Sequence, residues 1–161
     1  MMSQFYALRS RGVLPFDDRR QQFLHDGRKN DLAGAAEVID CTDAEIVAVT
    51  QDAHMREVYL GLYERSADDS PKPICDERLH EQCVIEELQR GEPRSTAAAG
   101  HGWQHYPKLL AANEALLDER SAVLYPRARY LLALADLAAA IPPQDIQPAY
   151  LRQKVAEKPR S

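Results

Sequence analysis

The residues that could perform chemistry are scattered along this chain of 161 residues and form no known catalytic pattern. The sequence contains no glycine-rich phosphate loop, no GxSxG turn and no HExxH helix, which are the local signatures of phosphate binding, acyl transfer and zinc-dependent hydrolysis. The adjacent acidic pairs Asp68-Asp69 and Glu86-Glu87 lie in polar segments, where solvated charge is their ordinary state. We therefore predict no catalytic residue, no cofactor and a protein that is not an enzyme.

Two cysteines and two histidines make the best candidate for a metal centre. Cys75, Cys83, His101 and His105 could offer the thiolates and imidazoles that zinc prefers, and the two histidines are one helical turn apart. The cysteines, however, have the wrong spacing for a zinc finger, and His101 lies between two glycines, which disfavour a helix there. We predict no metal site. A small zinc-binding or RNA-binding module that uses these four residues with the basic C-terminal segment is the alternative.

Charge and composition narrow the class of protein. Twenty Lys and Arg residues against twenty-five Asp and Glu residues give a net charge of −5, which argues against coating nucleic acid by bulk electrostatics. The longest unbroken apolar run, Tyr130–Ala135, is far shorter than the ~20 residues that cross a bilayer. Cys41, Cys75 and Cys83 are odd in number and lack close pairing, so we expect reduced thiols in a cytoplasmic protein.

Two short apolar runs rich in β-branched and aromatic residues predict a β-hairpin. Ile46–Val49 is the first and Val58–Tyr63 the second, with a polar connection in which Asp52 can bond nearby backbone N–H groups. The second run is apolar on both of its faces, which indicates a sheet that is covered on both sides. Its two faces carry Val58, Leu60 and Leu62 on one side and Tyr59, Gly61 and Tyr63 on the other.

The segment after the hairpin predicts a surface helix and a short strand. Asp76 can cap a helix over 77–89, which Gly91 and Pro93 would end. Residues 96–102 can form a strand that ends in a glycine turn. We interpret Trp103, which follows this turn, as a large core residue whose indole N–H donates to a carbonyl.

Two further helices are indicated by proline positions and apolar stripes. Pro107 and Pro126 each suit the first turn of a helix, and the second of these helices runs to about Ala140. The order of elements predicts an α/β class with a β-hairpin and short sheet under covering helices. The stripes consist of Leu109, Leu110, Ala112, Leu116 and Leu117 in one helix and Tyr130, Leu131, Leu134, Leu137, Ala138 and Ile141 in the other.

Three segments in this order resemble the TsaB (YeaZ) family, a bacterial partner subunit in making threonylcarbamoyladenosine in tRNA. Ile46–Val49 followed by Asp52–Tyr59 is similar to its strand, DARMGEVY-type turn and strand. Gly100–Trp103 is similar to its GTGW-type turn, and Pro148–Arg152 to its closing PVYLR-type segment, so the likeness covers about 45–158. The family motif positions are Asp52, Ala53, Met55, Glu57, Val58, Tyr59, Gly100, Gly102, Trp103, Tyr150, Leu151 and Arg152.

This resemblance implies a partial ribonuclease-H-like, actin-like lobe. Residues 41–161 would be the C-terminal lobe, and 1–40 an unrelated leader that is poorly ordered or forms a short helix, because no GPGSFTG-type loop of an N-terminal lobe is present. A truncated gene and an accessory paralogue would both explain that pattern. The resemblance implies a non-catalytic subunit that binds the catalytic subunit TsaD and meets tRNA only through the complex. Self-association and an inactive remnant are further expectations.

Two residues of the hairpin connection depart from the family pattern. His54 stands where the family usually has Arg, and Arg56 where it usually has Gly. If that glycine serves a positive φ angle, Arg56 must adopt the same angle at an energetic cost, or the turn must differ.

Overall fold

A computed structural model describes residues 29–135 together with Pro142 and Leu151. The leader before residue 29 and the C-terminal segment, including Tyr150 and Arg152, lie outside the described residues. In chain order the helices are α1 (Lys29–Cys41), α2 (Gly102–His105), α3 (Pro107–Asn113) and α4 (Ala128–Ala135), and the strands are β1 (Ile46–Asp52), β2 (Glu57–Arg65), β3 (Pro71–Pro73), β4 (Arg78–Glu81), β5 (Thr96–Ala99) and β6 (Glu119–Arg120). Short 3-10 turns cover Glu86–Gln89 and Glu114–Leu116.

The described strands form one mixed sheet in the order β3-β2-β1-β5-β6, with β4 also paired to β2. β1 and β2 are antiparallel, with Ile46 opposite Glu64 and Asp52 opposite Val58. β5 runs parallel to β1 and β6 runs parallel to β5, so these three strands end at the same edge of the sheet. The predicted hairpin and α/β class are confirmed, and so is the strand before Gly100.

Apolar layers cover both faces of the sheet, as the pattern of β2 predicts. Val58, Leu60 and Leu62 pack with Trp103 and Leu109 on the face covered by α2 and α3. The other face packs against α1 and α4, with the following buried residues among its members: Val47, Val49, Tyr63, Ala97, Tyr130 and Leu134. None of the described helices is long and apolar enough to cross a membrane.

The predicted helix over 77–89 is wrong. Residues 78–81 form β4, which pairs with β2 so that Arg78 lies opposite Leu60 and His80 opposite Val58. The sequence has few apolar residues in this segment, and backbone pairing with the open side of β2 decides its structure over local helix propensity. Only Glu86–Gln89 is helical there, as a single 3-10 turn.

The two later helices begin near the predicted prolines. α3 starts at Pro107 and ends at Asn113, and the 3-10 turn carries the chain on to Leu116. Leu109 is fully buried, whereas Leu110 and Leu117 are partly buried against the same core. In α4, Tyr130 and Leu134 are buried as predicted, and Leu137, Ala138 and Ile141 lie outside the described residues.

Helix α1 crosses the predicted boundary at residue 40 and belongs to the packed domain. Its alanines, with Leu32, Val38 and Ile39, are buried against the sheet. The Arg65 guanidinium stabilises the end of the helix, because Nη2 donates to the Ile39 carbonyl at 3.0 Å and to the Thr42 carbonyl. These last carbonyls of a helix have no partner within it, so the arginine replaces a glycine cap. Residues 31–39 are therefore core.

Asp31, in the first turn of α1, is buried and should make stability fall as pH rises. Burial raises its pKa well above 3.8, and the Glu77 side chain raises it further. The folded protein keeps this proton at pH values where the unfolded chain has lost it, so the stabilising contribution present below about pH 4 disappears as pH rises towards the folded-state pKa. We expect Asp31→Asn to gain stability relative to wild type as pH rises from about 4 to about 7. Urea unfolding at several pH values measures this difference, and Asp43→Asn, which changes an exposed carboxylate, is the control.

Candidate functional site: the carboxyl edge of the sheet

The two motif turns that the sequence singled out meet at one edge of the sheet. β1 and β5 are parallel neighbours, so their carboxyl ends lie at the same edge of the sheet. The hairpin turn follows the end of β1 at Asp52, and the turn at Gly100–Trp103 follows the end of β5. We call this region, completed by Tyr106 and Tyr125, the carboxyl edge. In open α/β sheets the carboxyl ends of parallel strands are the usual place for binding.

Asp52 connects the parts of the carboxyl edge through three hydrogen bonds. The Tyr106 hydroxyl donates to its Oδ1 at 2.6 Å, and the His54 backbone N–H donates to the same oxygen at 2.8 Å. The Asp52 backbone N–H donates to His101 Nε2 at 3.2 Å. The Tyr106 hydrogen bond is the main cause that lowers the pKa of the Asp52 carboxyl. The predicted bond to a nearby N–H is confirmed, but the partners Tyr106 and His101 were not predicted.

The two glycines of the second turn allow the chain to lie directly on β1. A Cβ at Gly100 would be 2.0 Å from the Thr50 carbonyl oxygen, and Gly100 has a φ of +90°. A Cβ at Gly102 would be 2.7 Å from the Thr50 side-chain oxygen. The glycines are thus required by close backbone approach, which is one of the reasons why glycine appears in such turns.

Trp103 fixes this turn to the sheet through a buried hydrogen bond to β1. Its side chain is buried, and its indole Nε1–H donates to the Ala48 carbonyl at 3.0 Å. The interpretation of Trp103 as a core residue with a bonded N–H is therefore confirmed. The remaining motif residues of β2 have mixed environments, with Val58 buried and Glu57 and Tyr59 half-buried.

The solvent side of the carboxyl edge carries exposed aromatic and apolar surface. Tyr125 stacks on the His101 ring, with centroids 4.9 Å apart, and keeps 64% of its surface exposed. Met55, at the tip of the hairpin, is 57% exposed. Tyr125 was missed by sequence reasoning because it follows β6 and reaches His101 only through the fold. Tyr125 and Met55 therefore offer an exposed contact surface, and the hydrogen bonds of Asp52 hold the adjoining turns in place.

The hairpin tip adopts a left-handed backbone without glycine. His54, Met55 and Arg56 have φ angles of 61°, 55° and 66°, and all three side chains are exposed. Such angles are unfavourable for residues with a Cβ. Arg56 therefore takes the positive φ angle that the family glycine suggested, and Ala53 N–H still donates to the Glu57 carbonyl at 3.0 Å across the turn.

Replacing Arg56 by glycine should stabilise the protein by about 1 kcal/mol, because glycine adopts this φ angle without a steric penalty. The Arg56 carbonyl accepts a hydrogen bond from Gln82 at 3.2 Å, which the substitution leaves in place. Chemical denaturation of Arg56→Gly and wild type measures the gain. The control is Arg90→Gly, which removes an exposed arginine outside this turn. Equal loss of stability in both variants would contradict the assignment of strain to Arg56.

The four residues of the zinc hypothesis do not come together. Cys75 Sγ accepts a hydrogen bond from an arginine, Cys83 lies beside His80, and His101 and His105 contact aromatic rings near the carboxyl edge. No group of three or more His, Cys, Asp or Glu side chains within the described part of the chain could hold a metal ion. All three cysteines are free thiols, of which Cys41 and Cys83 are exposed and Cys75 is half-buried.

Comparison with known proteins supports the fold through similar solved structures, whereas the comparisons by sequence find no match. No family model and no curated protein matches the chain. Among solved structures, YeaZ from Pseudomonas aeruginosa matches with a TM-score of 0.52 and 25% identity, over 67% of this chain and 47% of that one. An uncharacterized protein from Pseudomonas aeruginosa with similarity to peptidase YEAZ matches with a TM-score of 0.50 and 23% identity, over 67% and 48%.

The chain thus spans about half the length of the structures that it matches. The described part of the molecule shows the corresponding mixed α/β sheet with its covering helices. The resemblance drawn from the hairpin and glycine-turn motifs agrees with this comparison. The protein is therefore TsaB-like in structure, with the fold of about half of a YeaZ protein.

Proposed function

We propose that this protein is a non-catalytic partner subunit in tRNA threonylcarbamoyladenosine modification, which binds a TsaD-like catalytic subunit and meets tRNA through that complex. The observation that carries the proposal is the structural similarity to YeaZ, together with the motif residues at the carboxyl edge. This chain covers 47% of the YeaZ structure, so a shared role would rest on the part of the fold that both proteins contain.

The chemistry of the carboxyl edge supports a binding role. Asp52 is occupied by hydrogen bonds from Tyr106 and from the backbone, and His101 Nε2 accepts the Asp52 N–H. These bonds join β1 and the hairpin turn to the segment that contains His101 and Tyr106, so the three side chains hold the turns in place.

The surface of the same edge supports docking through side chains of mixed character. The hairpin tip presents a thioether at Met55 between His54 and Arg56, and Tyr125 presents a phenol ring nearby in the carboxyl edge. Methionine, tyrosine and arginine are the residue types enriched in protein interfaces. We propose that a TsaD-like partner contacts this surface.

Association with purified TsaD, measured by calorimetry or light scattering at micromolar concentrations, tests the proposal. We expect a complex with the wild-type protein and weaker binding by Met55→Ala and Tyr125→Ala. Leu132→Ala is the matched control, because Leu132 is 71% exposed but lies on α4. Absence of binding by the wild-type protein would reject the partner role. Equal weakening by all three variants would reject the carboxyl edge as the contact surface.

A further inference from the structure

The imidazole of His101 is bonded to the end of β1 in a way that its protonation forbids. His101 Nε2 accepts the Asp52 backbone N–H at 3.2 Å. The nitrogen that accepts is unprotonated, so the hydrogen of the neutral ring is on Nδ1. β1 runs on to Asp52 after its pairing with β5 has ended at Val49 opposite Ala99. The imidazole therefore takes the place of a strand carbonyl where β5 has left the sheet.

The other ring nitrogen makes this bonded arrangement only slightly favourable. Nδ1 of His101 is buried and has no hydrogen-bond partner within the described part of the chain. A buried donor without a partner costs at least as much free energy as one hydrogen bond contributes, so the unpaired Nδ1–H offsets the bond to Asp52. A turn in which the ring has moved out to water is therefore close in free energy, and a change of charge can select it.

Protonation of His101 removes the acceptor from its contact with β1. An imidazolium carries a hydrogen on both nitrogens, so Nε2–H would face the Asp52 N–H. Two donors form no hydrogen bond, and the ring must leave the end of the strand. Histidine is the residue type whose charge ordinarily changes between about pH 5 and pH 8. The bonded turn thus binds fewer protons than the open turn, and acid favours the open one.

The titratable groups around Asp52 respond to acid in the opposite direction. The Tyr106 hydrogen bond is the main cause that lowers the pKa of the Asp52 carboxyl, which therefore stays charged in this pH range. His54 Nδ1 lies 3.4 Å from Asp52 Oδ2, and the charge of His105 also acts on this carboxyl. Protonation of either imidazole adds attraction to Asp52. Among these groups, His101 is the one that loses a bond.

The exposed ring of Tyr125, which faces His101 from the segment after β6, moves with the imidazole. The two rings stack with centroids 4.9 Å apart. A cation on the face of a tyrosine ring is attracted to it, so the stack survives protonation. The chain before Tyr125 is held separately, because Gly100 N–H donates to the Val123 carbonyl at 2.8 Å. Release of His101 therefore displaces the Tyr125 ring without opening the sheet.

We propose that His101 is a pH-sensitive switch at the carboxyl edge. At neutral pH its imidazole bonds the end of β1, whereas in acid a proton from solvent binds Nε2, breaks the bond to the Asp52 N–H and releases the His101–Tyr125 pair. The switch is a property of the free protein. Its consequence for docking, a weaker association with a TsaD-like partner in acid, rests on the function proposed above.

Nuclear magnetic resonance of the full chain, titrated from about pH 7.5 to about pH 5.5, tests the switch in the free protein. We expect the Asp52 amide proton to shift upfield as its hydrogen bond is lost, with the same midpoint as the His101 Cε1–H resonance. The indole N–H of Trp103, which donates to the Ala48 carbonyl, should not shift and reports that the core stays folded.

Two substitutions assign the titration to one imidazole. His101→Gln keeps an acceptor near the position of Nε2 but does not titrate, so its Asp52 amide resonance should stay constant. His105→Gln is the matched control, because it removes an exposed imidazole near Asp52 that does not bond the Asp52 N–H, and its titration should match wild type. A constant Asp52 amide in the wild-type protein, a titration that persists in His101→Gln, or one that disappears in His105→Gln would overturn the proposal.

Association with TsaD at the two ends of this pH range tests the consequence for docking. We expect the wild-type protein to lose roughly fivefold more affinity in acid than His101→Gln, which is the factor that one hydrogen bond of ordinary net strength provides. Comparison with the variant cancels the titration of the partner. Equal losses would reject the effect on docking. Absence of binding by both proteins at both pH values would reject the partner role, while the Asp52 resonance still decides the switch.

Discussion

Gly100→Ala is expected to destabilise the protein by about 4–5 kcal/mol. The new Cβ would lie 2.0 Å from the Thr50 carbonyl oxygen, a backbone atom in the middle of β1 that cannot move aside without disturbing the sheet. The positive φ angle adds a second penalty for any residue with a Cβ. Since domains are stable by only about 5–15 kcal/mol, a steric cost of roughly 3 kcal/mol on top of that strain removes a large share of the total.

Gly91→Ala is the matched control for this prediction. Gly91 has a φ of +86°, almost the same as the +90° of Gly100, but a Cβ there would meet nothing within 4 Å. The control therefore suffers only the backbone penalty of about 1–2 kcal/mol. Urea unfolding of both variants isolates the clash as the difference between them. Equal losses would show that the turn does not lie against Thr50 as described.

Local patterns predicted the hairpin because both of its strands are dense in β-branched and aromatic residues. Ile46–Val49 and Val58–Tyr63 lie inside β1 and β2, and the polar connection became the turn. The same local logic failed for β4, whose strand structure depends on pairing with β2 and not on its own residues. Helix α1 was underestimated for a related reason, since much of its buried surface is alanine, which leaves no strong apolar period.

The candidate site shows the same division between local and long-range information. The glycines were recognisable because glycine indicates a tight turn, and Trp103 because a large aromatic residue after such a turn indicates a core contact. The hydrogen bond between Tyr106 and Asp52 was not, since it joins residues that are far apart in the chain and meet only after β5 has paired with β1. Local turn chemistry thus identified the edge, and tertiary packing decided which side chains complete it.

Asn113→Ala should destabilise the protein by about 3–5 kcal/mol, because it removes three hydrogen bonds from a fully buried position and leaves their partners unpaired. Asn113 Oδ1 accepts the Ile85 N–H at 2.8 Å, and Nδ2 donates to the Cys83 carbonyl at 3.0 Å and the Leu109 carbonyl at 2.8 Å. One side chain therefore ties the segment after β4 to helix α3. Chemical denaturation measures the loss, with Glu114→Ala, at the exposed neighbouring position, as the control.

The same substitution also tests how the segment at Cys83 is held. If Asn113 is its anchor, amide hydrogen exchange at Ile85 should accelerate in Asn113→Ala under conditions where the rest of the sheet stays protected, since local opening no longer breaks the Ile85–Asn113 bond. Unchanged exchange at Ile85 in a folded variant would mean that the segment is held by its packing against the core, where Ile85 is fully buried beside Leu109.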